Sequence, residues 1–404
     1  MTDQPPSQAP ARRPVPEAEE VIVSGGIPFN RPSIEGNELE YMQHAVEHGH
    51  TSADGPYSTL AADLLREAIG AEQVLLTTSC TDALEMSALL LDIGPGDTVV
   101  VPSFGFVTTA LAYSRAGAQV LFCDIEPTTL GLDPRHLAEL MDDTVRAVVP
   151  IHYAGVGCDL EGIMAVLEGW PRAELVEDNA HGLFATYRDR PLGSFGRFAT
   201  LSFHETKNFI CGEGGALIVN QPADCDRAPV ILQKGTNRKA FQLGQVDKYS
   251  WQDTGSSFGL SDVLAGYLYG QLEQREPILA RRRAAFDRYQ AALEPEAERL
   301  GIQLPIIPAD REQAYHMYYV LLPDVATRNH VLTTMRAAEI HATFHYVPLH
   351  SSPHGQRVAA RPAHCPVTDD ISGRLIRLPF FTTLSTTEAD RVLDAFIGAL
   401  GVAV

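Results

Sequence analysis

The feature that most restricts this chain is an alternation. Between residues 72 and 180, short apolar runs take turns with longer segments whose apolar residues recur at helical spacing. The runs EQVLLTT, DTVVVPS, AQVLFCDI, RAVVPIHY and AELVEDNA read as strands, and TDALEMSALLLDI, FVTTALAYSRAG, DPRHLAELM and LEGIMAVLEG read as helices. A strand joined to the next by a helix has to cross over, so the spacing predicts an α/β fold with a mostly parallel sheet buried between helices. Ligands of such sheets bind outside the carboxyl ends of the strands. Residues 79–82, 103–106, 152–155, 178–181 and 202–207 all follow strand runs and are expected to converge on one crevice.

Two helices precede the alternation, EGNELEYMQHAVEHG and YSTLAADLLREAIG, each ending on a glycine, Gly49 and Gly70. After residue 260 the segment LSDVLAGYLYGQLEQREPILARRRAAFDRYQAALEPEAERL reads as long helices leading to a C-terminal unit. That unit shows strand MYYVLL, helix RNHVLTTMRAAE, strand HATFHYV and helix TEADRVLDAFIGAL, a smaller α+β layer. The expected division is a disordered tail over 1–25, rich in Pro, Ala and Glu, a large α/β domain over 26–265 and a small domain over 266–404. A chain of 404 residues suits two such cores.

Charge narrows the partners. With 31 Lys+Arg against 51 Asp+Glu, a formal charge of -20 repels nucleic acid and anionic lipid, so an anionic substrate needs a local basic pocket. No run approaches the ~18 apolar residues of a membrane span. The six scattered cysteines form neither a disulfide framework nor a zinc site, and a reducing cytoplasm is the expected compartment. No metal is expected either: HETKN lacks the second His of H-E-x-x-H, and HYVPLHSSPH has no carboxylate at ligand spacing.

The chemistry centres on LSFHETKNFICGEGGALIVN, residues 201–220. Lys207 stands between a strand-like run and Gly212, Gly214 and Gly215. Partly buried beside a carbonyl-bearing cofactor, such a lysine loses charge and forms an imine; alone, the same pattern also describes a surface lysine. Asp178 ends an apolar strand, where a carboxylate needs a partner. The protonated ring nitrogen of pyridoxal phosphate is one such partner, and a helix N-cap is the other reading. In TTSCTDALE, Ser79, Cys80, Thr81 and Asp82 lie between a strand and a helix, where free N–H groups bind phosphate, although the Asp82 carboxylate must turn away from it. Either Phe104 or Phe106 can lie against an aromatic ring, or both can be core.

These segments together resemble the nucleotide-sugar aminotransferases, pyridoxal-phosphate enzymes of fold type I. The resemblance runs from IPFNRPSIEGNELEYM through LLTTSCTDALEMSALLLDIGPGD, VVPIHYAGVGCDL, LVEDNAHG, SFHETKNFICGEGGA and KGTNRKAFQLGQVDKYSWQDTGSS to FHYVPLH and RLPFF. It implies that Lys207 carries the cofactor as a Schiff base and Asp178 pairs with the ring nitrogen. His181 would lie near the phenolic oxygen, Phe106 would stack on the ring, and Ser202, Cys80, Thr81 and the backbone at Asp82 would hold the phosphate. Asn237 would reach the phosphate of a neighbouring subunit, which implies a homodimer.

The implied reaction uses L-glutamate to aminate a dTDP-4-keto-6-deoxy-hexose, giving the dTDP-4-amino-4,6-dideoxy-galactose of surface polysaccharides. Amination at C3, another nucleotide-linked keto-sugar, and a non-catalytic homologue are the alternatives, the last opposed by the presence of both Lys207 and Asp178. Gly105, Asp82, Asn179 and Leu243 depart from the pattern, where relatives carry Thr, a small residue, Ala and Arg respectively. Loss of the arginine at 243 removes a bidentate grip on substrate phosphate.

Overall fold

Seven strands form the central sheet of the computed structural model, which describes residues 26–242 and 244–401. The tail over 1–25 and Leu243 lie outside the described residues. The strands are β1 Gln73–Thr77, β2 Thr98–Pro102, β3 Gln119–Cys123, β4 Val145–Val148, β5 Glu174–Asp178, β6 Phe198–Ser202 and β7 Gly215–Val219. They lie in the order β1-β7-β6-β5-β4-β2-β3. The pairs β3/β2, β2/β4, β4/β5 and β5/β6 are parallel, whereas β7 runs antiparallel to both β6 and β1. The sheet is therefore mostly parallel with one reversed strand, and its carboxyl edge collects the ends of β1, β2, β4, β5 and β6.

Both faces are covered, which is why the strands are apolar without alternation. Val99, Val101, Val120, Phe122, Val176 and Leu217 face α3 (Cys80–Leu90) and α4 (Thr108–Arg115). On the other side, Val100, Leu121, Val148 and Leu175 pack on α5 (Pro134–Leu140) and α6 (Leu160–Leu167). Val74, Leu76, Leu201, Ala216 and Ile218 pack on α2 (Pro56–Ile69) and α7 (Asp262–Glu273). The first helix, α1 (Glu38–Glu47), rides on α7. Gly70 closes α2 with φ of 78°, the left-handed conformation for which glycine suits a helix end.

The C-terminal unit has its own core. Helix α8 (Arg275–Leu293) contributes Phe286, Tyr289 and Leu293, α9 (Val325–Ala337) Val331 and Met335, and α10 (Thr386–Ala399) Val392 and Phe396. These cover the antiparallel pair β8 (Tyr319–Leu321) and β9 (Leu375–Arg377). Ile27 belongs to this core and pairs with the strand-like segment at Ile340, its N–H donating to Glu339 O at 2.9 Å. The start of the described chain is thus stitched to its end, with the Arg31–Glu388 ion pair at 2.8 Å beside it. Residue 265, the expected boundary, falls within α7, which packs against α1 and α2.

The run HATFHYV, expected as a strand, forms only an isolated bridge, Thr343 to Arg377. Phe344 and Val347 are exposed, while the neighbours His345 and Tyr346 stack on each other, 3.8 Å between centroids, and both line a cavity, which the two-residue period of a strand does not allow.

Candidate active site

At the carboxyl edge of the sheet three strand ends meet. Thr77 of β1 and Ser202 of β6 both pair with Gly215 of β7. A Cβ on Gly215 would come within 2.4 Å of Cys80 N and of the Ser79 carbonyl carbon, so glycine is required for β7 to pass under the β1–α3 turn. At that turn Ser79 is the extended N-cap of α3, its Oγ accepting from Asp82 N at 3.0 Å. The Asp82 carboxylate accepts the Thr78 hydroxyl and turns away from the cavity, which it does not line. Burial pushes the Cys80 thiol up to about 12, so it stays protonated, 3.5 Å from Thr200 Oγ1.

Above this turn lies a cavity of about 460 Å³, lined by Ser79, Cys80, Thr81, Phe106, Asp178, His181, Ser202 and Lys207, with His316, His345 and Arg377 from the C-terminal unit. The convergence expected from the strand ends is met at four of five segments. The exception is 152–155: His152 is buried behind the cavity instead. Its Nδ1 accepts from Cys158 N at 3.3 Å, which leaves the hydrogen on Nε2 to be donated to Glu177 Oε2 at 3.0 Å. Glu177 also accepts from the N–H groups of Gly193, Phe195 and Gly196 at 2.7–2.8 Å. The His152 N–H bonds Asp178 O at 3.2 Å, so this buried pair anchors the end of β5.

Asp178 is the last residue of β5 and 5% exposed. Burial raises its carboxyl pKa; against this work the Thr109 hydroxyl, which donates to Oδ2 at 2.6 Å, and the Ala180 N–H, which donates to Oδ1 at 3.2 Å. Lys207 sits in the hairpin joining β6 to β7, pinned by Phe203 N to Gly214 O, 2.8 Å, and Cys211 N to Phe203 O, 2.9 Å. Burial lowers its amine to about 8, with Cys80 and Asp178 acting in the opposite sense. Such an amine is partly neutral near neutral pH and able to attack a carbonyl.

His181 is held neutral, its pKa far below the ordinary value because of burial and then Lys207. Its buried Nδ1 has no hydrogen-bond partner, and its ring stacks on His316 at 4.3 Å. His316 Nδ1 lies 3.0 Å from Asn208 Oδ1, and Asn208 Nδ2 donates to Ala314 O at 2.6 Å, so His316 is the donor in that pair. Of the two phenylalanines, Phe104 is 1% exposed and packs edge-on against Tyr153 and Tyr346, whereas Phe106, 58% exposed, lines the cavity.

Asn237 does not line this cavity: its Nδ2 donates to Lys248 O at 3.0 Å and its Oδ1 accepts from Ser250 N at 2.7 Å. The substituted position Asn179 is buried with neither side-chain polar atom paired, and Gly105 stands against Ile151, so that a Cβ there would come within 2.4 Å of Ile151 Cδ1. Thr109, His316 and Arg377 escaped the sequence reading, and His345 entered it only as the first histidine of HYVPLHSSPH. Arg377 carried a signal, a guanidinium inside the otherwise apolar LIRLPFF; the rest did not.

The set fits a phosphorylated pyridine aldehyde. Hydroxyls of Ser79, Thr81 and Ser202 surround a helix N-terminus suited to phosphate, a buried carboxylate awaits a ring nitrogen, an unpartnered imidazole nitrogen awaits an oxygen, and a low-pKa amine awaits the aldehyde.

Comparison with known proteins gives the same answer. The model of the DegT/DnrJ/EryC1/StrS aminotransferase family matches residues 32–397. The spore coat polysaccharide biosynthesis protein SpsC of Bacillus subtilis is 28% identical over 377 residues, 91% of this chain and 96% of that protein. The aminotransferase TlmJ of Streptoalloteichus hindustanus superposes with a TM-score of 0.84 at 28% identity, over 93% of this chain and 99% of that one. The PLP form of the sugar aminotransferase homologue Spr1654 of Streptococcus pneumoniae shares the fold, with a TM-score of 0.85 at 23% identity over 93% and 99% of the two chains. The chain belongs to the DegT/DnrJ/EryC1/StrS aminotransferase family, and the residues lining its cavity fit pyridoxal 5′-phosphate.

Proposed function

We propose that this member of the aminotransferase family moves the amino group of L-glutamate to C4 of a dTDP-4-keto-6-deoxy-hexose, giving dTDP-4-amino-4,6-dideoxy-galactose in the cytoplasm. The observation that carries the reading is that Lys207 and Asp178 line one cavity, the first with an amine lowered to about 8 and the second buried at a strand end. The segments SFHETKN, GEGG and GQVDKY, and the likeness to a polysaccharide biosynthesis protein, support a nucleotide-sugar acceptor.

Pyridoxal phosphate, when bound, supplies an electrophilic carbon for nitrogen exchange and an electron sink for the pair left by a broken Cα–H bond. Asp178 keeps a proton on the ring nitrogen by remaining ionised opposite it, a state that Thr109 and Ala180 support. Ser79, Thr81 and Ser202 would hold the phosphate at the start of α3, Phe106 would cover a ring face, and His181 Nδ1 would meet the phenolic oxygen. Lys207 Nζ takes the proton from glutamate Cα in one half of the cycle and delivers one to sugar C4 in the other. Asn237 completes the phosphate site of the partner subunit in a homodimer.

Purified protein incubated with L-glutamate and dTDP-4-keto-6-deoxyglucose should yield a product whose NMR couplings place the amine axially on C4. A C3 amine, an equatorial amine or unreacted sugar would refute the assigned substrate. Lys207→Ala should lose the visible band of lysine-joined cofactor together with turnover, and a variant that retained both would remove the role given to Lys207.

A further inference from the structure

Arg377 ends β9 at the cavity wall and is 8% exposed. Its backbone is fixed by Thr343, with N–H to O distances of 2.7 and 3.1 Å in the two directions. The guanidinium lies 4.5 Å over the Phe29 ring, and Nη1 is 2.5 Å from His345 Nε2. Arg377 forms no ion pair with a carboxylate among the described residues, and its buried Nε has no hydrogen-bond partner.

His345 does not neutralise it. Burial, then Arg377 and Lys207, take the imidazole down to about 2, so it is uncharged, accepts from Arg377 at Nε2 and carries its hydrogen on Nδ1, 3.2 Å from the Tyr153 hydroxyl. A guanidinium stays charged in such surroundings, and burying it beside neutral acceptors alone is unfavourable. Asp178, the one buried carboxylate among the described residues lining the cavity, is engaged by Thr109 and Ala180; Glu213, which also lines it, has a side chain 70% exposed beside His204. The cavity therefore carries a fixed cation whose Nε edge, the geometry that suits a planar two-oxygen anion, is unmatched.

The two proposed substrates differ in where their anions lie. An α-amino acid carries its carboxylate on the reacting carbon itself. A nucleotide-linked 4-keto-hexose carries its phosphates at C1, across the sugar ring from the reacting C4. Arg377 lines the same cavity as Lys207, so the donor is the match.

We propose that the Nε/Nη2 edge of Arg377 binds the α-carboxylate of the amino donor, with His345 fixing the plane of the guanidinium through Nη1. This rests on the aminotransferase reading but not on the identity of the sugar. Arg377 thereby selects α-amino acids over simple amines and orients the Cα–H bond toward Lys207.

The test uses the pyridoxal-phosphate holoenzyme without sugar. In Arg377→Gln, the L-glutamate concentration that gives half the maximal rate of bleaching of the visible band should rise about 30-fold, the scale of a lost charge-assisted pair. The calorimetric Kd of α-methyl-L-glutamate, which has no Cα proton to lose, should rise by a similar factor, and Arg377→Lys should recover part of both. The kcat/KM for keto-sugar, which does not contain the donor half of the cycle, and the spectrum of bound cofactor should stay as in wild type. A lowered kcat/KM for keto-sugar with unchanged donor binding would assign the edge to nucleotide phosphate and overturn the proposal, as would no change in either. Should the variants not fold, the wild-type enzyme decides: it should reject glutamate blocked as the α-amide and bind the γ-amide better, and equal binding of the two would overturn the assignment. Donor binding that depends on Arg377 while no amino sugar forms would leave this inference standing and remove only the proposed substrate.

Discussion

Replacing Thr109 with valine deletes one hydroxyl at nearly constant volume, and the structure says what that hydroxyl does. It donates to Asp178 Oδ2 at 2.6 Å, and the only other donor to that carboxylate among the described residues is Ala180 N–H, longer at 3.2 Å. A hydrogen bond to a charged, buried group is worth about 1.5–3 kcal/mol, and one pKa unit corresponds to about 1.4 kcal/mol, so the Asp178 pKa should rise by about 1–2 units. Burial already raises this pKa, and Thr109 is the largest influence opposing it. The ionised form is the working one, so activity is present above the pKa and lost as pH falls through it. In Thr109→Val the acid limb of kcat/KM for L-glutamate should move to higher pH by about 1–2 units, while Thr109→Ser, which keeps the hydroxyl, should leave it in place. The assay is bleaching of the visible band by glutamate between pH 5 and 9. An acid limb in Thr109→Val identical to wild type, with cofactor bound, would refute the assignment of Asp178 as the ionised partner of the ring.

Three further outcomes follow from the same geometry. Gly215→Ala places a methyl 2.4 Å from backbone atoms of Ser79 and Cys80, so it should destabilise the protein by about 1–3 kcal/mol and loosen cofactor binding, read by thermal unfolding with and without pyridoxal phosphate. Because the Lys207 amine is lowered to about 8, capture of pyridoxal phosphate by apoprotein should accelerate from pH 7 to 9 and then level; a rate that climbs steadily to pH 10.5 would mean an ordinary lysine. Lys207→Ala and Asn237→Ala should each be inactive, yet their co-expressed mixture should recover about a quarter of wild-type activity if Asn237 serves the partner subunit, since half the dimers would hold one intact site of two; no recovery would place Asn237 outside that role.

Much of the architecture was legible because its period is short-range. The runs Val99–Val101 and Val120–Cys123 are apolar on consecutive residues, as a strand covered on both faces requires. Lys207 and Asp178 were legible because a charged residue at the end of an apolar run demands an explanation. Strand order was not: that β7 reverses and inserts between β1 and β6 depends on contacts between residues far apart in sequence, such as Thr77 with Gly215. HATFHYV misled because its aromatic and apolar residues serve a cavity rather than a ladder: His345 and Tyr346, neighbours in sequence, both line it. Gly215, one of the glycines after Lys207, admits the backbone of Ser79 and Cys80. Thr109 was hidden in a helix where a threonine carries no distinctive pattern, and its importance appears only when α4 lies over the end of β5.

Reversal of β7 also sets how this molecule can diverge. A parallel seventh strand would need a helix to carry the chain back, and Lys207 would ride on a long excursion free to drift. Instead the lysine occupies a twelve-residue bend clipped at its base by Phe203, Gly214 and Cys211. Other rim segments can lengthen to suit new sugars, whereas insertions in this bend would swing the amine away from its target, so changes of specificity are channelled to the surrounding loops and the chemistry stays put.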